Sequence, residues 1–428
     1  LTDTDALYGA VAFSRAAAAA SLRPIFGSEI TDPKTGRRAV LLAKDLSGFG
    51  ELCRVISERR LDPDFSLADR LSHLSRRVLL LCPDAALLTR VVAVRGRGDV
   101  YAELTRFPGS ETPLRRLLET ARHLRVPVAA TNRVFFRDAK DWSVHRLLAA
   151  IRTNTTVHTL PQGAVEPPSA WLKPPRQMAR LFEDIPGAVS NTRAIAEQCD
   201  VRLPLGEVRL PRFPGPPGET QDALLTRRAW AGLRRLYRRV PPEAAERLRE
   251  ELRIIETLAF APYFLVVWDI VREAKARGIP TVGRGSAANS LVCRALGITE
   301  VDPLRHRLYF ERFLNPERTD YPDIDLDFPW NRRDEMLDYV FERYGREHVA
   351  LISSHIHFRG RSVLREVGKA LGLPLPEIDA FVKRLPSHAE VARLDELRTT
   401  IPECRPLPLE DEPYRSMAAL GRRIDGFP

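Results

Sequence analysis

The sequence predicts a multidomain α/β protein, and three observations support this fold class. The chain has 428 residues, 44% hydrophobic and 29% charged, which is enough for about two to four packed domains. Short apolar runs alternate with helix-like segments through residues 1–160, as in an α/β barrel or a layered sheet. Two Pro-rich stretches, Leu160–Pro175 and Leu203–Gly218, then separate this part from the rest of the chain.

The first part of the chain alternates between strand-length apolar runs and helix-length amphipathic segments. The predicted elements are a helix at Ala10–Ser21, strands at Pro24–Phe26 and Ala39–Ala43, a helix at Gly50–Arg59, strands at Val78–Cys82 and Val100–Leu104, a helix at Pro113–Leu124 and a strand at Val126–Ala130.

The later part of the chain is predicted to be mainly helical. A short helical segment covers Arg176–Cys199, and helices follow at Glu243–Phe260 and Tyr263–Arg277, the second ended by Gly278 as a cap. Two short strands with glycine turns come next. After Asn331 the pattern is helical again.

The charge balance is compatible with a partner that carries phosphates. The chain has 66 basic and 56 acidic residues, a net charge of +10, and only seven of the basic residues are Lys. Arg suits bidentate phosphate contacts, but Arg-rich usage can also reflect the coding bias of a genome. Charge alone therefore does not establish nucleic-acid binding.

Membrane and disulfide-rich classes are disfavoured. The longest apolar run, Ala259–Trp268, has about half the length needed to cross a bilayer, and it contains Pro262. This run is too short to span a bilayer, so we expect no membrane partner. The first residues do not resemble a signal peptide. The five Cys residues lie far apart and never as CxxC, which disfavours a disulfide framework or a zinc site and favours a reducing cytoplasm.

The segment Pro322–Phe328 is the most informative part of the sequence. Asp323, Asp325 and Asp327 alternate with apolar residues, so a strand would place three carboxylates on one face. Like charges on one face repel, and a hard divalent cation with oxygen ligands would compensate them. A solvated strand face or a calcium loop is the alternative, although calcium loops of the common type carry Gly where Phe328 stands. We favour metal-dependent phosphoryl chemistry.

A glycine turn precedes this segment by about forty residues. Gly283, Arg284, Gly285 and Ser286 are predicted to follow a strand and to open a helix that ends at Leu296. Such a helix N-terminus exposes unpaired N–H groups to an anion, and the guanidinium and hydroxyl would add to the same phosphate. A structural turn is the alternative for the loop alone. Together, the glycine turn and the acidic strand predict a nucleoside-triphosphate site.

These motifs resemble those of bacterial family C DNA polymerases, the DNA polymerase III alpha subunits. Asn289 stands where replicative members usually carry Gly, which looks more like the error-prone second alpha-subunit branch. The segments that carry the polymerase resemblance are Gly283–Ser290, Leu296–Thr299 with Asp302–Pro303, Phe310–Arg318 and Pro322–Phe328. Leu1–Gly9, Pro24–Glu29 and Val128–Phe136 resemble the polymerase-and-histidinol-phosphatase (PHP) domain, and Arg361–Leu373 resembles the thumb helix.

The resemblance implies a fold and a domain order. It implies a PHP-type distorted α/β barrel at residues 1–195, a polymerase beta-like nucleotidyltransferase palm at 196–354 and a truncated helical thumb at 355–428. A third catalytic aspartate is expected in a palm segment beyond Pro428. We therefore expect the chain to be a fragment that is inactive by itself.

The resemblance also implies the chemistry. The implied function is template-directed addition of deoxynucleotides to a primer 3′ end, in error-prone, damage-tolerant synthesis. Asp323 and Asp325, with Asp327 adjacent, would hold two Mg²⁺ ions, and Gly283, Arg284, Gly285 and Ser286 would bind the deoxynucleoside triphosphate. The implied partners are primer-template DNA, the triphosphate, a sliding clamp and other accessory proteins. A replicative alpha subunit and a non-catalytic DNA-binding fragment are the alternatives.

The predicted PHP domain departs from the pattern of its family. Active PHP sites use His and acidic ligands, but Thr4 and Phe135 stand where His is expected and Arg133 stands where Asp is expected. Asp3 and Glu29 remain as ligands, and an Arg in a metal site opposes cation binding. We predict that the domain is a structural support, although a PHP-type phosphoesterase is the further alternative.

Two groups of basic residues, a histidine pair and three arginines, lie in or near the predicted thumb. His355 and His357 have a spacing that would place both rings on one face of a strand, but no Cys or acidic residue is near in sequence, so we do not predict a zinc site. Arg359, Arg361 and Arg365 are candidates for contacts with the duplex backbone.

Overall fold

The computed structural model describes residues 1–207, 209–315 and 322–428, and it divides the chain into two units. The first unit contains Leu1–Leu205 together with His355–Pro428, and the second contains Gly206–Ser354. Residues 316–318 of the Phe310–Arg318 motif lie outside the described residues.

A mixed six-stranded sheet forms the centre of residues 1–205. The strands follow one another across the sheet in chain order, with antiparallel pairing on both sides of the third strand and parallel pairing elsewhere. The fourth strand is buried along its whole length, as its continuous apolar sequence predicts. The strands are β1 (Thr2–Thr4), β2 (Gly27–Thr31), β3 (Arg38–Ala43), β4 (Val78–Cys82), β5 (Val100–Thr105) and β6 (Val128–Thr131).

Helices connect and cover these strands. Asp45, Ser66 and Asp84 cap three of the helices, because each side chain accepts a hydrogen bond from an N–H group in the first turn. The helices of this part are α1 (Ala10–Ala19), α2 (Leu46–Leu61), α3 (Leu67–Ser72), α4 (Ala85–Arg95), α5 (Glu111–Leu124), α6 (Trp142–Thr153), α7 (Pro175–Leu181) and α8 (Ser190–Glu197).

Two expectations for this part are wrong. The strand predicted at Pro24–Phe26 begins instead at Gly27, after a proline that has no N–H to donate to a sheet. The single helical segment predicted at Arg176–Cys199 is two helices, α7 and α8, because Pro186 and Gly187 interrupt it and Gly187 has a φ of +82°.

The second unit is a helical body with a two-stranded sheet. Its core is rich in aromatic rings, including Phe264, Phe310 and Phe313. Its helices are α9 (Gln221–Leu236), α10 (Pro242–Thr257), α11 (Ala261–Ala276), α12 (Leu291–Leu296) and α13 (Arg333–Tyr344), and its strands are β7 (Val282–Arg284) and β8 (Asp325–Asp327). Single turns of 3₁₀ helix occur at Gly285–Asn289 and Phe310–Arg312.

A buried aspartate fixes the helix that follows β8. Asp269 of α11 is fully buried, and its Oδ2 accepts hydrogen bonds from the hydroxyls of Tyr339 at 2.7 Å and Tyr344 at 2.9 Å. The Arg272 guanidinium lies 2.6 Å from its other oxygen. Buried charges need such partners, so this cluster ties α13 to α11.

Residues 355–428 return to the first unit, where they form a second core with α6. Val144 and Leu147 of α6 belong to the same buried cluster as Val367 and Met417. The helices of this segment are α14 (Arg361–Leu371), α15 (Leu375–Lys383), α16 (Leu394–Thr400) and α17 (Tyr414–Ile424).

Within the described ranges, no single helix is long and apolar enough to cross a membrane. The pair α10 and α11, which is bent by 115°, reaches that length and composition only when both helices are counted together.

Helix α9 packs closely on α12 at a glycine. A Cβ atom on Gly232 would lie 1.8 Å from the backbone oxygen of Ala295. We predict that Gly232→Ala lowers the free energy of unfolding by about 2–3 kcal/mol, because the two backbones must separate. Denaturant unfolding measures the change.

Gly50→Ala is the matched control for this substitution. Gly50 also lies within a helix, but a Cβ atom there would have the end of the Arg54 side chain as its nearest neighbour, at 4.0 Å. This change should stabilise the protein by about 0.5–1 kcal/mol through helix propensity. Equal effects of the two substitutions would contradict the proposed close packing.

Candidate active site

The glycine turn and the acidic strand meet through one antiparallel ladder. Strand β7 pairs with β8, with Val282 opposite Asp327, Gly283 opposite Leu326 and Arg284 opposite Asp325. Gly283 also donates its N–H to the Ile298 oxygen at 3.0 Å, and a Cβ there would lie 2.3 Å from that oxygen. Only glycine fits at this position.

The three predicted carboxylates occupy neighbouring positions but not one regular strand. Asp325 and Asp327 point from the same face of β8, and their side chains are 43% and 57% exposed. Asp323 is exposed and precedes the strand. Between them, Ile324 and Leu326 pack against the core of the second unit.

Tyr263 supports the backbone that carries these carboxylates. Its hydroxyl accepts a hydrogen bond from the Ile324 N–H at 2.8 Å. Burial raises the pKa of Tyr263, and the nearby charges of Asp323 and Asp325 add to that rise, against the effect of the Ile324 N–H. The tyrosine therefore stays protonated beside an anionic surface.

Arg284 contacts the carboxylates directly. Its Nε lies 3.0 Å from Asp327, and its terminal nitrogen Nη1 lies 3.3 Å from Asp325. A guanidinium between two like charges offsets their repulsion. The sequence predicted a role for Arg284 on the triphosphate, and the structure also places this side chain against the predicted metal ligands.

The donor set suits a hard cation that is shared with a substrate. Mg²⁺ is usually held by one or two carboxylates, with water and substrate phosphates completing its shell. Asp325 and Asp327 on β8, with Asp323 just before the strand, supply carboxylates of this kind. Over the described ranges, no three or more His, Cys, Asp or Glu side chains form a cage for a metal ion. Carboxylate oxygens suit a hard cation such as Mg²⁺, whereas structural zinc sites are built mainly from Cys and His.

The expectation of an open helix N-terminus after the glycines is wrong for α12. The N–H groups of Leu291 and Val292 donate to the Glu251 carboxylate, both at 3.0 Å. These two N–H groups at the start of α12 are therefore already paired with an anion of the protein itself. The chain between Gly285 and Asn289 forms a 3₁₀ turn instead, so the N–H groups at the start of that turn are the candidates for phosphate contacts.

Asn289 and Glu251 stabilise this loop in ways that the sequence did not reveal. The amide group of Asn289 donates from Nδ2 to the Ser286 oxygen at 2.8 Å and so closes the 3₁₀ turn. Burial raises the pKa of Glu251, and its four hydrogen-bond donors act against that rise. The amphipathic pattern of α10 predicts that its glutamates lie on the surface. No sequence signal therefore identified Glu251 as a buried residue.

The predicted PHP site contains guanidinium groups among its acidic residues. Arg133 donates to Glu29 at 3.1 and 3.2 Å and to both oxygens of Glu166 at 2.7 Å. Arg38 bridges Glu29 and Glu103 at 2.9 Å each. These two cations neutralise the carboxylates that a metal cluster would otherwise use.

The remaining predicted residues of this site also make contacts within the protein. Thr4 contacts Glu29 through its hydroxyl at 3.4 Å, and Asp3 accepts the Gly9 N–H at 3.0 Å. The Phe135 ring lies 5.2 Å from the Arg133 guanidinium. Burial acts to raise the pKa of Glu29, but hydrogen bonds and charge from Arg133 and Arg38 outweigh it, so the pKa lies below its usual value.

The histidine pair and the thumb arginines have ordinary contacts. His357 contacts the Gly426 oxygen at 2.9 Å, and the His355 ring meets Tyr8 edge-on at 5.0 Å, in a segment that is not a strand. Arg361 donates to the Leu385 oxygen, and Arg365 pairs with Asp379. Arg359 has an exposed side chain.

Comparison with known families defines the class of this protein. Residues 223–428 match the family model described as the bacterial DNA polymerase III alpha NTPase domain, and residues 1–123 match the PHP domain. These matches confirm the predicted fold class, a PHP domain followed by a polymerase beta-like nucleotidyltransferase domain.

Whole-chain similarity gives the particular family. All of this chain aligns with the DNA polymerase III subunit alpha of Bacillus subtilis (strain 168) at 34% identity, over 40% of that protein. It aligns equally fully with the error-prone DNA polymerase of Symbiobacterium thermophilum at 35% identity, over 43% of that protein. The chain belongs to the bacterial DNA polymerase III alpha family, as its motifs predict, and it spans about two fifths of the length of these two relatives.

The PHP cluster makes a testable contribution to stability. We predict that Arg133→Met lowers the free energy of unfolding by about 3 kcal/mol at pH 7, because it removes one of the two guanidinium groups that pair with buried Glu29 and also removes the partner of Glu166. Glu29 has a lowered pKa, so its stabilisation is complete above the ordinary value of 4.5 and is lost as the pH falls through the folded value. The loss caused by the substitution should therefore shrink at pH 3.

Urea unfolding at pH 7 and pH 3 measures this effect. Arg137→Met is the control, because its side chain is 87% exposed and lies 3.6 Å from Asp138. An Arg133→Met effect of the same size at both pH values would contradict the role of ionised Glu29.

Arg284 should compete with a cation for the carboxylates. We predict that Arg284→Ala tightens the binding of Mn²⁺ alone by roughly three- to tenfold, because two ion pairs at an exposed site no longer need to be broken. Isothermal titration calorimetry measures the affinity, with Arg333→Ala, an arginine that pairs with Asp334, as control. Unchanged or weaker Mn²⁺ binding by Arg284→Ala would show that the arginine does not compete.

Proposed function

We propose that the protein containing this chain is a DNA-directed DNA polymerase alpha subunit. The single observation that carries the proposal is the β7–β8 ladder, which sets the glycine turn against the carboxylates of Asp325 and Asp327. Membership of the DNA polymerase III alpha family supports the same reaction. The substrates are a primer-template DNA and deoxynucleoside triphosphates.

Each group of site residues has a separate proposed role in nucleotidyl transfer. Asp323 and Asp325, with Asp327 adjacent, hold two Mg²⁺ ions. When bound, these ions activate the primer 3′-hydroxyl and neutralise the triphosphate. Gly285 and Ser286, at the start of the 3₁₀ turn, would offer backbone N–H and hydroxyl groups to phosphate oxygens. Gly283, whose N–H is donated to the Ile298 oxygen, would hold the turn in place.

In this proposal, Arg284 contacts the carboxylates of the site and also the incoming triphosphate. It lies on Asp325 and Asp327 in the structure, and its length allows the guanidinium to turn toward an incoming phosphate. The guanidinium would exchange carboxylate oxygens for phosphate oxygens, so its positive charge stays paired with anionic oxygens before and after the movement. The third catalytic aspartate is expected from a segment outside this chain.

The error-prone role remains part of the proposal. Its support is the resemblance that Asn289 carries, and in the structure the side chain of this residue closes the 3₁₀ turn. A sliding clamp and other accessory proteins are the proposed partners. The contacts of Arg38 and Arg133 with the acidic residues favour a supporting role for the PHP domain over a phosphoesterase.

Primer extension by the complete reading frame that contains this chain tests the proposal. We predict Mg²⁺-dependent extension that chelation abolishes and that Asp325→Asn lowers by about a hundredfold or more, because a charge that stabilises the transition state is removed. Asp334→Asn is the control, since this exposed carboxylate lies in α13 and pairs with Arg333.

The outcomes separate the two possible functions of the chain. Extension that is lost with Asp325→Asn and kept with Asp334→Asn supports the polymerase. DNA binding with no extension by the wild type would instead make the chain part of a non-catalytic DNA-binding protein.

A further inference from the structure

Glu251 is a buried carboxylate that the proposed reaction does not use. It lies in α10, is fully buried, and accepts four hydrogen bonds. Its Oε1 accepts from the Leu291 N–H at 3.0 Å and the Arg247 Nε at 2.8 Å. Its Oε2 accepts from the Ser290 hydroxyl at 2.8 Å and the Val292 N–H at 3.0 Å.

Arg247 extends the same contact to the neighbouring backbone. Its terminal nitrogen Nη2 donates to the Asn289 oxygen at 3.4 Å and to the Leu308 oxygen at 3.2 Å. The guanidinium also lies 5.9 Å from the centre of the Phe310 ring. Glu251 and Arg247 therefore hold four successive residues, 289–292, through three backbone groups and the Ser290 hydroxyl.

These four positions are the exit of the glycine loop. At its entrance, Gly283 is fixed by the β7–β8 ladder and by its bond to the Ile298 oxygen. The 3₁₀ turn Gly285–Asn289 lies between the two anchors. Its direction is therefore set at both ends, and one of these ends depends on Glu251.

Simple capping of α12 does not require Glu251. Ser290 already accepts the Cys293 N–H at 3.1 Å, which is the usual N-cap contact. Burial of a carboxylate costs free energy unless donors compensate it, and here all of its donors come from the loop exit or from Arg247. The arrangement orients the loop in addition to capping the helix.

We propose that Glu251 is a positioning residue that sets the glycine loop for the triphosphate of the incoming nucleotide. The inference rests on the proposed polymerase function. Loss of the carboxylate lets the loop exit shift, and a displacement of about 1 Å in groups that position a substrate can lower kcat/KM by up to about a hundredfold. The shift should weaken the triphosphate contact and leave the DNA contact unchanged.

Steady-state primer extension by the complete protein tests the inference. Glu251→Gln keeps the shape of the side chain but turns an NH₂ group toward N–H donors. We expect it to raise the KM for the deoxynucleoside triphosphate about tenfold or more, with a smaller change in kcat. The Kd for primer-template DNA, measured by fluorescence anisotropy, should stay within about twofold of the wild type.

Glu51→Gln is the matched control. Glu51 is a buried glutamate of the first unit, and it also accepts hydrogen bonds from a serine N–H and hydroxyl, those of Ser75. Its substitution should lower the thermal midpoint as Glu251→Gln does, and leave the KM unchanged. A general loss of stability would move the KM of both variants alike.

A milder variant keeps the test decisive if Glu251→Gln does not fold. Ser290→Ala removes one of the four donors, together with the N-cap contact to the Cys293 N–H, and should raise the same KM about two- to fivefold. A wild-type KM in folded Glu251→Gln, or in Ser290→Ala if the first variant is unfolded, would overturn the positioning role. Absence of extension by the wild type would instead overturn the polymerase proposal and the positioning role with it.

Discussion

The antiparallel pairing of β7 with β8 is the constraint on which the candidate site depends. Each strand has only three residues, yet the ladder brings Arg284 opposite Asp325 across more than forty residues of sequence. The absence of a side chain at Gly283 allows the Ile298 backbone to pack against this ladder. Without the pairing, the turn and the carboxylates would be two unrelated surface features.

In both units, arginine side chains compensate the charge of clustered carboxylates. In the first unit, Arg38 and Arg133 lie among buried acidic residues, where their loss leaves uncompensated charge. In the second unit, Arg284 faces carboxylates that are about half exposed, where water screens the ion pairs. The first arrangement is therefore suited to stability, and the second is suited to exchange with a ligand.

The sequence predicted the elements that depend on local pattern and missed the contacts that depend on distance along the chain. The strand at Val78–Cys82 agrees with the structure because its apolar run is continuous and bounded by polar residues. The closed N-terminus of α12 was not predicted, because its anion is Glu251, some forty residues earlier in the chain. Glu166 was missed for the same reason, although Arg133 and its other partner, Glu29, were both assigned to the PHP site.

Anomalous diffraction from crystals grown with Mn²⁺ and a deoxynucleoside triphosphate tests the central claim most directly. The account predicts Mn²⁺ peaks beside Asp323 and Asp325, triphosphate oxygens facing Gly285 and Ser286, and an Arg284 guanidinium turned from the carboxylates toward the phosphates. Triphosphate density elsewhere on the protein, with Arg284 still bridging Asp325 and Asp327 and no Mn²⁺ peak beside them, would contradict it.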